Sequence, residues 1–328
     1  MSHHGSLQYW HRRRASTRLP RSRSKPTHIS EQVLSNIVAY KVGMTQVSMT
    51  DDSESPSKNI EVAEACTVLE IPPTEIYGLR AYTKDPETNY SIVDTEIYSK
   101  ASAAKLKIKN LKNDESKIEP LKQRLAEITD ITALAVAFPK TTSVGQHHPV
   151  RFEAYIGGKS VEEKLEFIAS KLGKELLASD LFKNGEFVDV ASITIGKGWQ
   201  GTIRRFGTAR LFHKATNKVR HVGTLGPFTP GKVLFTVPQA GQMGFHYRTE
   251  HNKRIIKIGT KAEADKINPK EGYKHYGNVK NDYIVVSGSI PGPTKRLVRV
   301  KKSITNRNAK GVKEPKVTYF NINTNNTK

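Results

Sequence analysis

Residues 189–250 read DVASITIGKGWQGTIRRFGTARLFHKATNKVRHVGTLGPFTPGKVLFTVPQAGQMGFHYRTE. Asp189 and Glu250 bound 60 residues that hold nine Lys/Arg and no acid. A charge run on a solvated face normally mixes signs, because mixed signs limit self-repulsion. Total exclusion of acids over this length therefore predicts contact with a polyanion. The flanks alternate apolar and polar residues, which predicts strands at Phe187–Ile195, Val233–Val237 and Arg254–Ile258. Between them the density of Gly and Pro argues against helix. The reading is a nucleic-acid-contacting segment flanked by strands.

The rest of the chain agrees. Its 328 residues carry 53 Lys+Arg against 31 Asp+Glu, a net charge of +22 and a pI near 9.9. Such a charge opposes compaction unless a polyanion neutralises it. Residues 1–28 hold seven bases and no acid: Arg12, Arg13, Arg14, Arg18, Arg21, Arg23 and Lys25. With almost nothing aliphatic to bury, this segment is expected to order only against a partner, with Tyr9, Trp10 and His11 suited to stacking. Residues 60–189 differ: 21 acids against 17 bases. There Ser160 and Glu163 form a capping box ahead of Leu165, Ile168, Leu172 and Leu176 on one helical face, Pro120 opens a helix through Leu121, Leu125 and Ile128, and Ile131–Phe138 reads as a buried strand. Further strands are expected at Ile37–Met49, Glu64–Ile71, Ile76–Tyr82, Tyr283–Ile290 and Leu297–Val300. Early and late strands around a helical middle predict a mixed-β fold: a β-barrel with an α/β insertion.

Several chemistries are excluded or unsupported. The single cysteine, Cys66, permits no disulfide framework and no cysteine-rich zinc site. The longest apolar run falls far short of a membrane span, and no secretory signal opens the chain; a soluble protein of a reducing compartment is expected. Gly196–Gly201 matches G-x-G-x-x-G, but position 221 is His and no acid follows until Glu250, so a dinucleotide site is not supported. Gly226-Pro-Phe-Thr-Pro-Gly-Lys232 approaches a P-loop, yet Val233 stands where Ser or Thr must bind magnesium, and two prolines remove N–H groups from the cradle. That loop reads instead as a stiff tip presenting Phe228. The histidines form no metal set, and no cofactor is expected.

Gly198-Trp-Gln-Gly-Thr-Ile-Arg-Arg-Phe-Gly207 resembles the G-F-x-G-x-x-x-R-[FW]-G signature of the ribosomal protein L-three family, and Pro238–Arg254 resembles its A-G-Q-M-G-x-H-x-R-T-x-x-N-K block. Gly5-Ser-Leu with Arg12-Arg-Arg is similar to the R-G-S-L arm of archaeal members, and Tyr40-Lys-Val-Gly-Met-Thr45 to their first strand. The resemblance spans most of residues 1–300.

It implies a six-stranded, translation-protein-like β-barrel, an inserted α/β domain and long basic RNA-binding extensions. The expected division is a basic arm over 1–36, a barrel from 37–82 and 186–300 with a basic finger at about 204–241, an inserted domain at 83–185, and a tail at 301–328. The implied role is a structural constituent of the large ribosomal subunit in the cytoplasm, contacting large-subunit ribosomal RNA and neighbouring ribosomal proteins, with no membrane and no homo-oligomer. Its finger would reach towards the peptidyl-transferase centre, with Phe228 in the place of the family's tip tryptophan. The histidine that is methylated in eukaryotic relatives falls near Thr216, so that modification is not implied.

The residues expected to bind RNA are the six arginines of the arm, then Lys197, Arg204, Arg205, Arg210, His213, Lys214, Lys218, Arg220, His221, Phe228, Lys232, Gln242, His246, Arg248, Lys253 and Arg254. Cations neutralise phosphate and release counterions, and rings stack on unpaired bases. Trp199 is open to two readings, a barrel-edge core residue or an RNA contact. A rival class is an RNA-modifying or nucleotide-dependent enzyme on a similar barrel; it requires a cofactor loop or clustered acids inside the basic stretch, and the sequence has neither. A DNA-binding protein would need a recognition helix there.

Overall fold

The computed structural model describes residues 12–22, 25, 28–106, 115–305, 308 and 311–321. Arg23, Gly5, Tyr9, Trp10, His11 and the polar C-terminal end lie outside the described residues. The fold is mostly β-sheet with few helices. In chain order the first strands are β1 (Asn36–Thr50), β2 (Glu61–Glu70), β3 (Thr74–Lys84) and β4 (Ser91–Tyr98). Helices α1 (Lys100–Lys105) and α2 (Ile118–Gln123) lead to β5 (Asp130–Ala137) and β6 (Val150–Tyr155). Then come α3 (Val161–Lys171), β7 (Glu175–Leu176), α4 (Ala178–Leu181) and β8 (Phe187–Ile193). β9 (Trp199–Gln200), α5 (Thr202–Phe206) and β10 (Gly241–Gln242) precede β11 (Tyr247–Gly259), β12 (Tyr283–Ser287), β13 (Leu297–Lys302) and β14 (Val317–Phe320).

The chain divides into two compact units. A main unit comprises Leu19–Ser192 and Thr249–Lys328; a basic unit comprises Met1–Arg18 and Ile193–Arg248. In the main sheet the neighbours run β13-β8-β11-β12-β2-β1-β14, and β13 also pairs with β1 in antiparallel register, Asn36 opposite Lys301 and Tyr40 opposite Leu297. The order of six strands thus returns to its start. The strands are Val/Ile-rich and fully buried at Ile37, Val38, Val68, Val188, Val190, Val285 and Val300. A second sheet, ordered β4-β3-β5-β6, carries α3 through Leu165 and Ile168 in the same core.

Two wholly buried carboxylates of the main unit are paired. Glu70, wholly buried, accepts from the backbone N–H of Lys280 (2.9 Å) and Asn281 (3.0 Å), from the Asn281 side chain (2.8 Å) and from the Tyr276 hydroxyl. Asp189, also wholly buried, accepts from the N–H of Asn252 and Ile304 at 3.0 and 3.1 Å. These bonds offset the cost of burying carboxylates.

Several element expectations are corrected. The Ser160 cap forms, its hydroxyl accepting from Glu163 N at 3.2 Å, but α3 stops at Lys171. Leu172 turns extended, Gly173 takes φ +73°, and Leu176 lies in β7, so these leucines do not continue the helical face. The helix around Pro120 is broken into α2 and a 3-10 turn at Leu125–Glu127. β12 ends at Ser287 rather than Ile290, and β11 begins earlier, at Tyr247. Val233–Val237 is not a strand: it has no ladder partner, and Val233, Leu234 and Phe235 are 44, 53 and 74% exposed. Apolar alternation without a neighbouring strand to satisfy its backbone does not make a strand.

Candidate nucleic-acid interface

The basic unit is built on a short antiparallel stem. Residues 194–200 run against 241–246: Thr194 N donates to His246 O (3.0 Å), Lys197 N to Met243 O (3.0 Å) and Met243 N to Gly198 O (2.9 Å). Close approach needs glycine at two positions. A Cβ on Gly244, at φ +72°, would lie 2.1 Å from Ile195 O, and one on Gly241 would lie 2.6 Å from Arg205 Nη1.

After β9 the chain forms α5, contrary to the expectation of no helix after the glycines. Gly201 caps it, and Gly207 ends it at φ +71° with its N–H on Ile203 O (2.9 Å). One turn of helix aims Arg205 inward while Arg204 points out to Gln200 (3.2 Å). Arg205 is 6% exposed. Its guanidinium donates to Gln239 O (2.9 Å), Gln242 O (3.2 Å) and Arg12 O (3.4 Å). The base of the arm is held further by Ala15 N donating to Phe245 O (2.8 Å) and by His246 Nδ1 against Arg13 O (3.1 Å). A carbonyl only accepts, so His246 Nδ1 carries the proton. The Phe206 ring has the Arg12 guanidinium 4.7 Å and that of Arg205 5.1 Å from its centroid.

The charge of this unit is uncompensated from within. Met1–Arg18 and Ile193–Arg248 carry thirteen Lys/Arg and no Asp or Glu, whereas the rest of the chain carries forty against thirty-one. Burial, then repulsion from Arg205 and Arg248, depresses the Arg12 pKa. Burial depresses that of Arg205. His246 is depressed by burial and by Arg248, Arg12 and Arg205, against the opposing hydrogen bond to Arg13 O. The cations therefore crowd one another, and an incoming anion would relieve that repulsion.

From Gly207 to Ala240 the described chain has one regular element, a 3-10 turn at Thr216–Lys218. Arg210, His213, Lys214, Lys218, Arg220, His221, Phe228 and Lys232 are all exposed, as are Lys197 and Arg248 and, in the arm, Arg13, Arg14 and Arg18. Arg21, exposed, belongs to the main unit. Phe228 is 97% exposed. Trp199, at 76%, is not a core residue. Phe212, its ring 4.9 Å from that of His213, and Phe235 are further exposed rings that sequence reasoning missed. Their signal was partial: apolar rings in an acid-free run, whose lack of a strand partner only the fold reveals. Besides Arg204, Arg205 and His246, other expected RNA contacts also have internal partners: Gln242 donates to Met243 O and Gly244 O, Arg248 donates to Tyr247 O at 2.9 Å, Lys253 pairs with Glu250 at 2.9 Å, and Arg254 grips Asp52 with both terminal nitrogens. Lys253 and Arg254 belong to the main unit. Among the described residues no group of His, Cys, Asp and Glu could hold a metal ion, and no helix is long and apolar enough to cross a membrane.

The sequence profile of the family described as Ribosomal protein L3 matches residues 1–327. The chain belongs to the ribosomal protein L3 family. Its relatives include the large ribosomal subunit protein uL3 of Methanosphaera stadtmanae, 41% identical over 322 residues covering 96% of this chain and 95% of that protein. The uL3 proteins of Methanothermobacter thermautotrophicus and Methanocaldococcus jannaschii are 40 and 38% identical, each again covering 96% of this chain and 95% of the relative. Membership in the L3 family agrees with the signature at Gly198–Gly207 and gives its Arg-Phe-Gly a structural reason: Arg205 ties arm, stem and helix together, Phe206 carries two guanidinium groups, and Gly207 ends the helix.

Proposed function

We propose that the protein is a structural constituent of the large ribosomal subunit in the cytoplasm, that it binds large-subunit ribosomal RNA, and that the basic unit is its RNA-facing part. One observation carries this reading: a unit with thirteen cations, no acid and exposed rings spaced along an irregular segment. Cations on both approaches anchor phosphates without regard to sequence, and Trp199, Phe212, His213, Phe228 and Phe235 stack on unpaired bases. Arg205 acts from within, holding the arm against the stem so that both present charge together. The role is positioning and charge neutralisation; the RNA does the chemistry.

The six-strand circuit of β1, β2, β12, β11, β8 and β13 is read as the translation-protein-like barrel, with residues 83–185 as the inserted α/β domain and about 204–241 as a finger reaching towards the peptidyl-transferase centre. The return of the strand order to its start, and the exposure of Phe228, support that reading. Sedimentation of cell extract in moderate salt tests the function. The endogenous protein is expected with large subunits and to resist release until salt is raised well above physiological levels. Its recovery among free proteins at physiological salt would contradict the proposal.

A further inference from the structure

The β3–β4 hairpin lies in the part of the chain with more acids than bases, and its tip is uncovered. Every residue from Pro86 to Asp94 is exposed, including Tyr90 at 75%, Ile92 at 50% and Val93 at 42%. β4 pairs with β3, Tyr82 opposite Val93 and Lys84 opposite Ser91, and stands first in its sheet, so its outer edge has no strand beside it among the described residues. Cover begins only at Asp94, which Arg124 approaches to 3.6 Å. Proteins usually blunt such an edge with lysine. Here the charges from 84 to 94 are Lys84 against Asp85, Glu87 and Asp94, in a chain that is otherwise strongly basic. Local negative charge repels phosphate and attracts cations.

We propose that the outer edge of β4, with Tyr90, Ile92 and Val93, is a docking surface for an extended, lysine- and arginine-rich segment of a neighbouring large-subunit protein. The segment adds as a strand, its backbone completing the ladder and its cations facing Glu87. Backbone pairing supplies affinity, and the acidic tip rejects RNA. This inference rests on the proposed ribosomal function.

The test places the photo-reactive residue p-benzoyl-phenylalanine at position 93 in cells and irradiates purified large subunits. The expected product joins position 93 to a Lys/Arg-rich peptide of one other subunit protein. In parallel, Glu87→Lys is expected to release that protein from subunits at a salt concentration at least twofold lower than wild type, while ribosomal RNA stays bound. Crosslinks to RNA, crosslinks to a second copy of this chain, or no crosslink from subunits that contain the variant would each overturn the inference and leave the ribosomal function standing. Absence of the chain from large subunits would overturn both.

Discussion

Replacing Arg205 with methionine keeps most of the buried volume and removes the guanidinium that joins three segments. Three acceptors lose their donor: Gln239 O, Gln242 O and Arg12 O, at 2.9, 3.2 and 3.4 Å. Hydrogen bonds from a charged donor contribute about 1.5–3 kcal/mol each, and the longest of these is weak. Against that stands the unfavourable burial of Arg205, visible in its depressed pKa. The net loss is about 2–4 kcal/mol, which by the tenfold-per-1.4 kcal/mol rule speeds local opening roughly 30- to 700-fold. Native-state amide exchange reads this directly. The N–H groups of Ala15, Met243 and Gly207 are expected to exchange faster by that factor, while Val190 and Val285 in the main unit keep their rates. Arg205→Lys, which retains charge but not the planar fork, is expected to lose nearly as much. Less than a threefold change at Ala15 and Met243 would refute the idea that Arg205 ties the arm to the stem.

Phe228→Ala is expected to leave the melt of the free protein within about 0.5 kcal/mol of wild type, because the ring is 97% exposed. The same change should weaken RNA binding by roughly 5- to 150-fold, the equivalent of 1–3 kcal/mol of stacking; a large loss of stability with unchanged RNA probing would contradict it. His246 is held below its ordinary pKa, so its contribution to the basic unit is present above the unfolded value of about 6.5 and is lost as pH falls through the folded one. Protection of the Ala15 amide should therefore drop on acidification, and His246→Gln should flatten that drop; protection that rises at low pH would reverse the sign. Gly185→Ala in the main unit should destabilise by more than about 2 kcal/mol, since φ is +81° and the new Cβ would sit 2.0 Å from Lys313 O; a neutral thermal melt would show that the loop yields.

The family and the charge partition were legible before any coordinates, because acid exclusion and a spaced signature survive without tertiary information. Strands with partners were legible too: Ile37–Met49 and Leu297–Val300 lie inside β1 and β13. What failed was whatever depended on a neighbour. Val233–Val237 alternates like a strand, but alternation cannot reveal that no strand lies alongside. Leu172 has the spacing of a helical face, yet the helix stops at Lys171 and Leu172 is already extended, because Leu176 goes on to pair in β7. Within the candidate interface, residue type named the cations but not their use. Arg204 and Arg205 are adjacent, and a single turn of helix exposes one and buries the other.

The central claim is that RNA lies against the basic unit and not against the acid-rich stretch 60–189. Ultraviolet crosslinking of intact large subunits, followed by mass spectrometry of RNA-bearing peptides from this chain, tests it most directly. The account predicts crosslinks concentrated in residues 12–18 and 193–248, with Phe212, Phe228 and Phe235 among the modified positions. Crosslinks concentrated in residues 60–189, with residues 204–241 unmodified, would contradict it.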